Sequence, residues 1–172
     1  AVRSLQLRSD LVQTLVGQGM WDFGDADGPR SSARLQHPLG IALSADAPLL
    51  WIADSGNGSL RTLRLGGGEL STVSLPRRLH GPTGLAVAGG AVWIAETDAH
   101  GVLRYDIASG KRFFVVSVHL DTRHDEKSAA KEKVFNRLRE DQMAKVLSTL
   151  KTVNDHDVPV VVAGDMNSWQ NL

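Results

Sequence analysis

Three residues in the last third of the chain have the types and placement for hydrolytic chemistry: His119, Asp165 and Asn167. His119 closes the apolar run "FFVVSVH", and Asp165 and Asn167 follow the apolar run "VPVVVAG". A carboxylate at such a place can orient an attacking water or hold a divalent cation. An asparagine two residues further along an extended strand points to the same side and can donate to an anionic oxygen. A histidine can donate to a phosphate or shuttle a proton. The neighbouring Asp121 and His124 could join His119 as metal ligands, but in the charged run "DTRHDEK" solvation is the simpler reading of both.

Three elements must place these groups. "RFFVVSVHL" is a continuous apolar run of the kind found in strands buried on both faces. From Ser128 to about Val153, apolar residues recur at Val134, Leu138, Val146, Leu147, Leu150 and Val153, with charged residues between them. That spacing predicts a helix, capped by Asp125 or Ser128 and broken by "NDHDVP". "VPVVVAGD" predicts a second buried strand. Strand, helix and strand form one β-α-β layer, and groups at such strand ends can converge on one pocket.

"FFVVSVHLD", "RLREDQMAKVL" and "PVVVAGDMNS" together resemble the endonuclease/exonuclease/phosphatase superfamily, the metal-dependent phosphoesterases related to DNase I. The resemblance implies a DNase I-like α/β sandwich over residues 111–172 and hydrolysis of a phosphoester, in nucleic acid, phospholipid or sugar phosphate, with Mg²⁺. By the same resemblance Asp165 orients the water, Asn167 contacts the phosphate and His119 supports the phosphate site. Arg139 and Gln142 match the helix motif in a packing role. The family's early asparagine, its metal-binding glutamate and its C-terminal Ser-Asp-His segment have no counterpart in the chain. Without the metal ligand and the transition-state histidine, the expected rate enhancement is nearly lost.

The first 110 residues read differently. "HPLGIALSADAPLLWIADSGNGSLRTLRL" repeats as "GPTGLAVAGGAVWIAETDAHGVLRYDI". Pro38 aligns with Pro82, Gly40 with Gly84, Trp51-Ile52-Ala53 with Trp93-Ile94-Ala95, and Asp54 with Glu96. The prolines lie 44 residues apart and the tryptophans 42, with the difference in the loops "SADAPL" and "AGG". A period of about 40–45 residues with several short strands suits a propeller blade. "GIAL" and "GLAV" predict short buried strands, and "LLWIAD" and "AVWIAE" predict apolar strands ending in an acid. "SLRTLRL" and "VLRYDI" alternate in the manner of half-buried strands. "LSTVSL" predicts the outer strand of the first blade, and "LVQTLVG" closes an earlier one.

"ADSGNGSLRTL" and "AETDAHGVLRY" resemble the signature of NHL-repeat propellers, and "GMWDFGDADGPRSSARLQHPLGIA" is similar to the propeller part of thioredoxin-like NHL-repeat proteins. The resemblance covers residues 5–109 and implies about two blades and a protein partner bound through a propeller face. Within this stretch, Asp54 and Glu96 are expected to cap strand ends by bonding turn amides. Trp51 and Trp93 are expected in the core, and Arg61 and Arg104 in solvent on a blade face. "GQGMWDFG" reads as a turn. His37, His80 and His100 fall at different blade positions, which argues against a shared metal site. "NGS" at Asn57 matches a glycosylation acceptor.

Composition narrows the classes. Lys+Arg and Asp+Glu are equal at 19 each, so there is no global positive field for nucleic acid or anionic membrane. The 42% of hydrophobic residues is enough for a packed core. The absence of cysteine excludes disulfides, thiolate catalysis and cysteine-ligated zinc, and leaves the compartment open. No apolar run approaches the roughly 18 residues of a membrane span. "AVRSLQLRSD" has neither a methionine nor a signal-peptide core, so a fragment or processed product is expected. Three readings follow: an incomplete Mg²⁺-dependent phosphoesterase, a non-catalytic propeller scaffold, or an artificial joining of the two segments.

Overall fold

The computed structural model describes residues 1–17, 19, 21–119, 141–149 and 159–165. The chain divides into two compact units, Ala1–Arg112 and Phe113–Leu172. Among the described residues strands dominate.

The first unit opens with an antiparallel hairpin, β1 (Val2–Gln6) and β2 (Leu11–Val16). The second of these strands corresponds to "LVQTLVG"; the first had no clear pattern in the sequence, since four of its five residues face solvent. The segment read as a turn leads into a two-residue strand, β3 (Gly28–Pro29).

The first repeat then forms an antiparallel sheet. Its strands are β4 (Pro38–Leu43), β5 (Leu49–Asp54), β6 (Ser59–Arg64) and β7 (Glu69–Thr72), with β3 paired outside β7. The second repeat supplies β8 (Pro82–Ala88), β9 (Ala91–Glu96) and β10 (Gly101–Asp106), again antiparallel. Register confirms the repeat, because Ile52 pairs with Arg61 in the first sheet and Ile94 with Leu103 in the second.

Each blade turns its second corner through a short 3₁₀ segment, Ser55–Asn57 and Thr97–Ala99. Each segment ends on a left-handed residue, Gly58 at φ 57° and His100 at φ 52°. Glycine adopts that conformation without steric cost, whereas histidine carries some strain.

The two blades pack face to face through their inner strands. A Cβ on Gly40 would sit 2.0 Å from the Thr83 carbonyl oxygen, so only glycine permits this approach of β4 to β8. On the opposite face of the first sheet, Leu50, Ile52, Leu63 and Leu70 bury against Val2 and Val16 of the hairpin and against Ala33 and Leu35. The hairpin covers the outer strands of that face. On the inner strand Leu39, Ile41 and Leu43 remain 67%, 56% and 58% exposed. "GIAL" is therefore a strand with one open face rather than a fully buried one.

Strand β11 (Arg112–His119), in the second unit from Phe113 onward, pairs there in parallel with β12 (Val160–Asp165). Residues 141–149 are helical, within the stretch where apolar spacing predicts a helix. The rest of that stretch lies outside the described residues.

Candidate functional site

The densest polar cluster of the first unit forms where the first blade turns from β5 to β6. Asp54 and Arg61 are both fully buried. Arg61 donates from NH1 to Asp54 Oδ2 at 2.9 Å and from NH2 to Asp27 Oδ1 at 2.6 Å, and NH2 also reaches the Asp25 carbonyl at 3.3 Å. The buried Asn57 donates from Nδ2 to Asp54 Oδ2 and to the Gly24 carbonyl, each at 2.7 Å. The Gln36 backbone N–H donates to Asp54 Oδ1 at 2.7 Å. Asp27 in turn accepts the Thr72 backbone N–H at 2.9 Å and the Thr72 hydroxyl at 3.0 Å.

One guanidinium thus ties the corner of the blade to the preceding insert, and Asp27 carries the tie on to the outer strand. Arg30 adds a second anchor by donating to the Arg64 and Leu65 carbonyls at 3.0 and 2.8 Å. Arg34 pairs with Asp22 within the insert itself.

Burial pushes the Asp54 carboxyl above the usual carboxylate range, against the pull of its Asn57, Gln36 and Arg61 donors. Partial burial acts on Asp27 in the same direction. There the Thr72 N–H, Arg61 and the Thr72 hydroxyl outweigh it, and the Asp27 carboxyl lies below its ordinary value. The half-buried Asp106 is also lowered, by bonds from the Ser109 hydroxyl and N–H.

The second blade meets the same need with other residues. Glu96 is fully buried and accepts Arg77 through both oxygens, at 2.7 and 2.9 Å, as well as the His80 backbone N–H at 2.8 Å. The position that pairs like Arg61 holds the buried Leu103, so the cation comes from the connection between blades instead.

Asp54 and Glu96 end their strands but, contrary to expectation, do not bond the amides of the turns that follow; each instead accepts a backbone N–H from an earlier segment, Gln36 for Asp54 and His80 for Glu96. The expectation for Arg61 is overturned: it is a buried ion-pair partner, because the carboxylate at the corner needs an internal cation. Arg104 is the counterpart of Thr62 rather than of Arg61, as the pairs Trp93–Arg104 and Trp51–Thr62 show. It stacks 5.8 Å over the Trp93 ring and pairs with Asp106 at 3.3 Å. Trp51 is buried as expected and donates to Ser44 Oγ at 2.8 Å, whereas Trp93 is only half-buried. Asn57 spends both amide hydrogens inside the fold, so the folded chain offers no free acceptor nitrogen for a glycan.

This cluster is a latch, and its polar atoms are turned toward one another. Among the described residues no group of three or more His, Cys, Asp or Glu is placed to hold a metal ion. A cleft of about 600 Å³ lies beside it, lined by Trp21, Asp22, Phe23, His37 and Leu39 among others. Trp21 and Phe23 are 82% and 59% exposed. Leu39 joins this cleft to the open row of Ile41 and Leu43 on β4. Sequence reasoning passed over these aromatics by reading their segment only as a turn.

Of the predicted catalytic residues, His119 and Asp165 end β11 and β12 and are register partners across the parallel pair. Asn167 lies outside the described residues, as do Asp121, His124 and Arg139.

The fold and the latch define the first unit as a pair of propeller-like β-blades. Sequence comparison adds homology to NHL-repeat proteins. NHL repeat-containing protein 2 of Gallus gallus is 32% identical over 126 residues, covering 62% of this chain and 17% of the relative. The Homo sapiens protein of that name is 29% identical over the same extent. The chain therefore spans about a sixth of the length of these curated relatives. Among solved structures, virginiamycin B lyase from Staphylococcus aureus aligns at 23% identity and a TM-score of 0.41, covering 49% of this chain and 28% of that one. No family model matches the chain. None of these similarities supports the phosphoesterase resemblance, so the DNase I-like part of the expected fold gains no backing.

Proposed function

We propose that the chain acts as a non-catalytic binding segment of NHL-propeller type, engaging a protein through the apolar surface of its first blade. One observation carries the reading. Leu39, Ile41 and Leu43 form an exposed row on a single strand, and the exposed Trp21 and Phe23 extend it across the adjoining cleft. Protein interfaces favour such surfaces, with aromatic anchors beside a contiguous apolar patch. The buried charges serve the opposite purpose, since Asp54, Arg61 and Glu96 are committed to holding the blades. Residues 1–110 constitute the binding segment. A pull-down with those residues alone should retain any protein that the intact chain captures, and Trp21→Ser with Ile41→Lys should release it. A partner captured only by the intact chain, or held unchanged by the double variant, would sink the reading.

A second reading draws on the register pairing of His119 with Asp165. Residues 111–172 would then be the remnant of a Mg²⁺-dependent phosphoesterase, with Asp165 activating water, Asn167 contacting the phosphate and His119 supporting it. Hydrolysis of a generic phosphodiester, dependent on Mg²⁺ and abolished in Asp165→Ala, would support it. Activity that is absent or independent of metal would end it.

A further inference from the structure

Asn57 is followed by Gly58, and that dipeptide has a chemistry of its own. In a flexible chain the Gly58 backbone nitrogen attacks the Asn57 side-chain carbonyl carbon, because glycine has no Cβ to block the approach. A ring forms and the side-chain amide nitrogen leaves as ammonia, taking up the proton lost from Gly58. Water then opens the ring at either carbonyl and leaves aspartate or isoaspartate. Water is the only co-reactant, and nothing is oxidised or reduced.

The fold restrains every participant. Both hydrogens of the Asn57 amide are held at 2.7 Å, by Asp54 Oδ2 and by the Gly24 carbonyl. The Gly58 N–H donates to the Ser55 carbonyl at 3.1 Å, and the Asn57 backbone belongs to a 3₁₀ turn. The attacking nitrogen and its target carbon are thus each anchored elsewhere, and Asn57 is only 8% exposed.

The product does not fit the site it came from. A carboxylate at residue 57 would replace a donor with an acceptor 2.7 Å from the buried Asp54 oxygen. It would also leave the Gly24 carbonyl without its hydrogen bond. A buried acceptor stripped of its donor, beside a like charge, disfavours the closed corner.

We propose that Asn57–Gly58 is a fold-gated deamidation site, silent while the first blade is closed and converting only when its corner opens, after which the latch cannot re-form. The modification would make each opening of the blade that lasts long enough irreversible. This inference is independent of what the chain binds.

The test uses the intact chain. Samples are incubated at neutral pH and 37 °C, one folded and one in urea, and the peptide containing Asn57 is followed by mass spectrometry. Conversion should be at least ~10-fold faster in urea, as expected when reaction proceeds only from the open form. Gly40→Ala, which loosens the contact between the blades and leaves Asn57 and Gly58 themselves unchanged, should raise the rate in the folded sample. When the urea sample is refolded and treated briefly with protease, the surviving molecules should be depleted in deamidated chains. Equal rates in the folded and unfolded samples would overturn the gating. Equal deamidation in the surviving and digested fractions would overturn the claim that the latch fails to re-form.

Discussion

At the scale of the residue, Arg61 holds the most. Its side chain is fully buried and touches two carboxylates that come from different segments. Removing one partner of a buried ion pair leaves an uncompensated charge, at a cost of about 3–5 kcal/mol. Arg61→Leu should therefore destabilise the first unit by that order in urea denaturation, even though leucine occupies the corresponding place in the second blade. The second blade tolerates Leu103 because Arg77 reaches Glu96 by another route.

Acid should expose the same network. The Asp27 carboxyl lies below its ordinary value, so its contribution is fully present above the unfolded carboxylate range and is lost as pH falls through its folded value. Asp54 has the opposite sign. Its raised value means that stability is gained as pH falls from its folded value toward the unfolded one. Asp27→Asn should cost at most roughly 1 kcal/mol near neutrality, since that carboxylate is half-exposed and screened. The difference from the parent should shrink as pH falls from the unfolded carboxylate range through the lowered folded value, where the parent carboxylate is itself protonated. Urea titrations of both proteins from neutrality to acid would show the curves converging; a constant offset would mean that Asp27 works through packing.

At the scale of the element, the repeat was legible and its differences were not. Hydrophobic runs and turn residues located β4 to β10 because strand periodicity and glycine-rich corners leave direct marks on sequence. Hairpin β1–β2 was half visible, since β1 turns a single buried residue inward. The latch was invisible because Asp27 lies 34 residues before Arg61 and only the folded sheet brings them together. The parallel pairing of β11 with β12 was readable as strand, helix and strand, but no similarity beyond motif resemblance supports the enzyme inferred from it.

The two repeat-equivalent glycines show how alike elements acquire different duties. Gly40 lies against the Thr83 carbonyl, whereas the nearest atom to a Cβ on Gly84 is the Ala95 Cβ at 3.7 Å, an ordinary contact. Gly40→Ala should force the blades apart at a cost of about 1–3 kcal/mol. Gly84→Ala should be neutral or stabilising by up to about 1 kcal/mol, because glycine within a strand gives up more chain entropy than alanine. Thermal melts of the two single variants would separate the cases, and equal losses would contradict the packing described.

At the scale of the molecule, a propeller blade is stable only when both faces of its sheet are covered, since each repeat buries its apolar face against its neighbours. The first blade meets this condition on one face through the second blade, and on the other face only over its outer strands. The inner strand keeps Leu39, Ile41 and Leu43 in solvent, and apolar side chains in a row on a strand favour association. Because these side chains are already more than half exposed, a charge among them costs little folding energy, within about 0.5 kcal/mol. Ile41→Lys should therefore leave the melting temperature almost unchanged while lowering self-association at high concentration, followed by sedimentation velocity. A matched Ile52→Lys, at a fully buried position on the same face, should instead abolish the folded unit. If Ile41→Lys destabilised the chain as Ile52→Lys does, the row would belong to the core and the binding surface assigned to it would have to be given up.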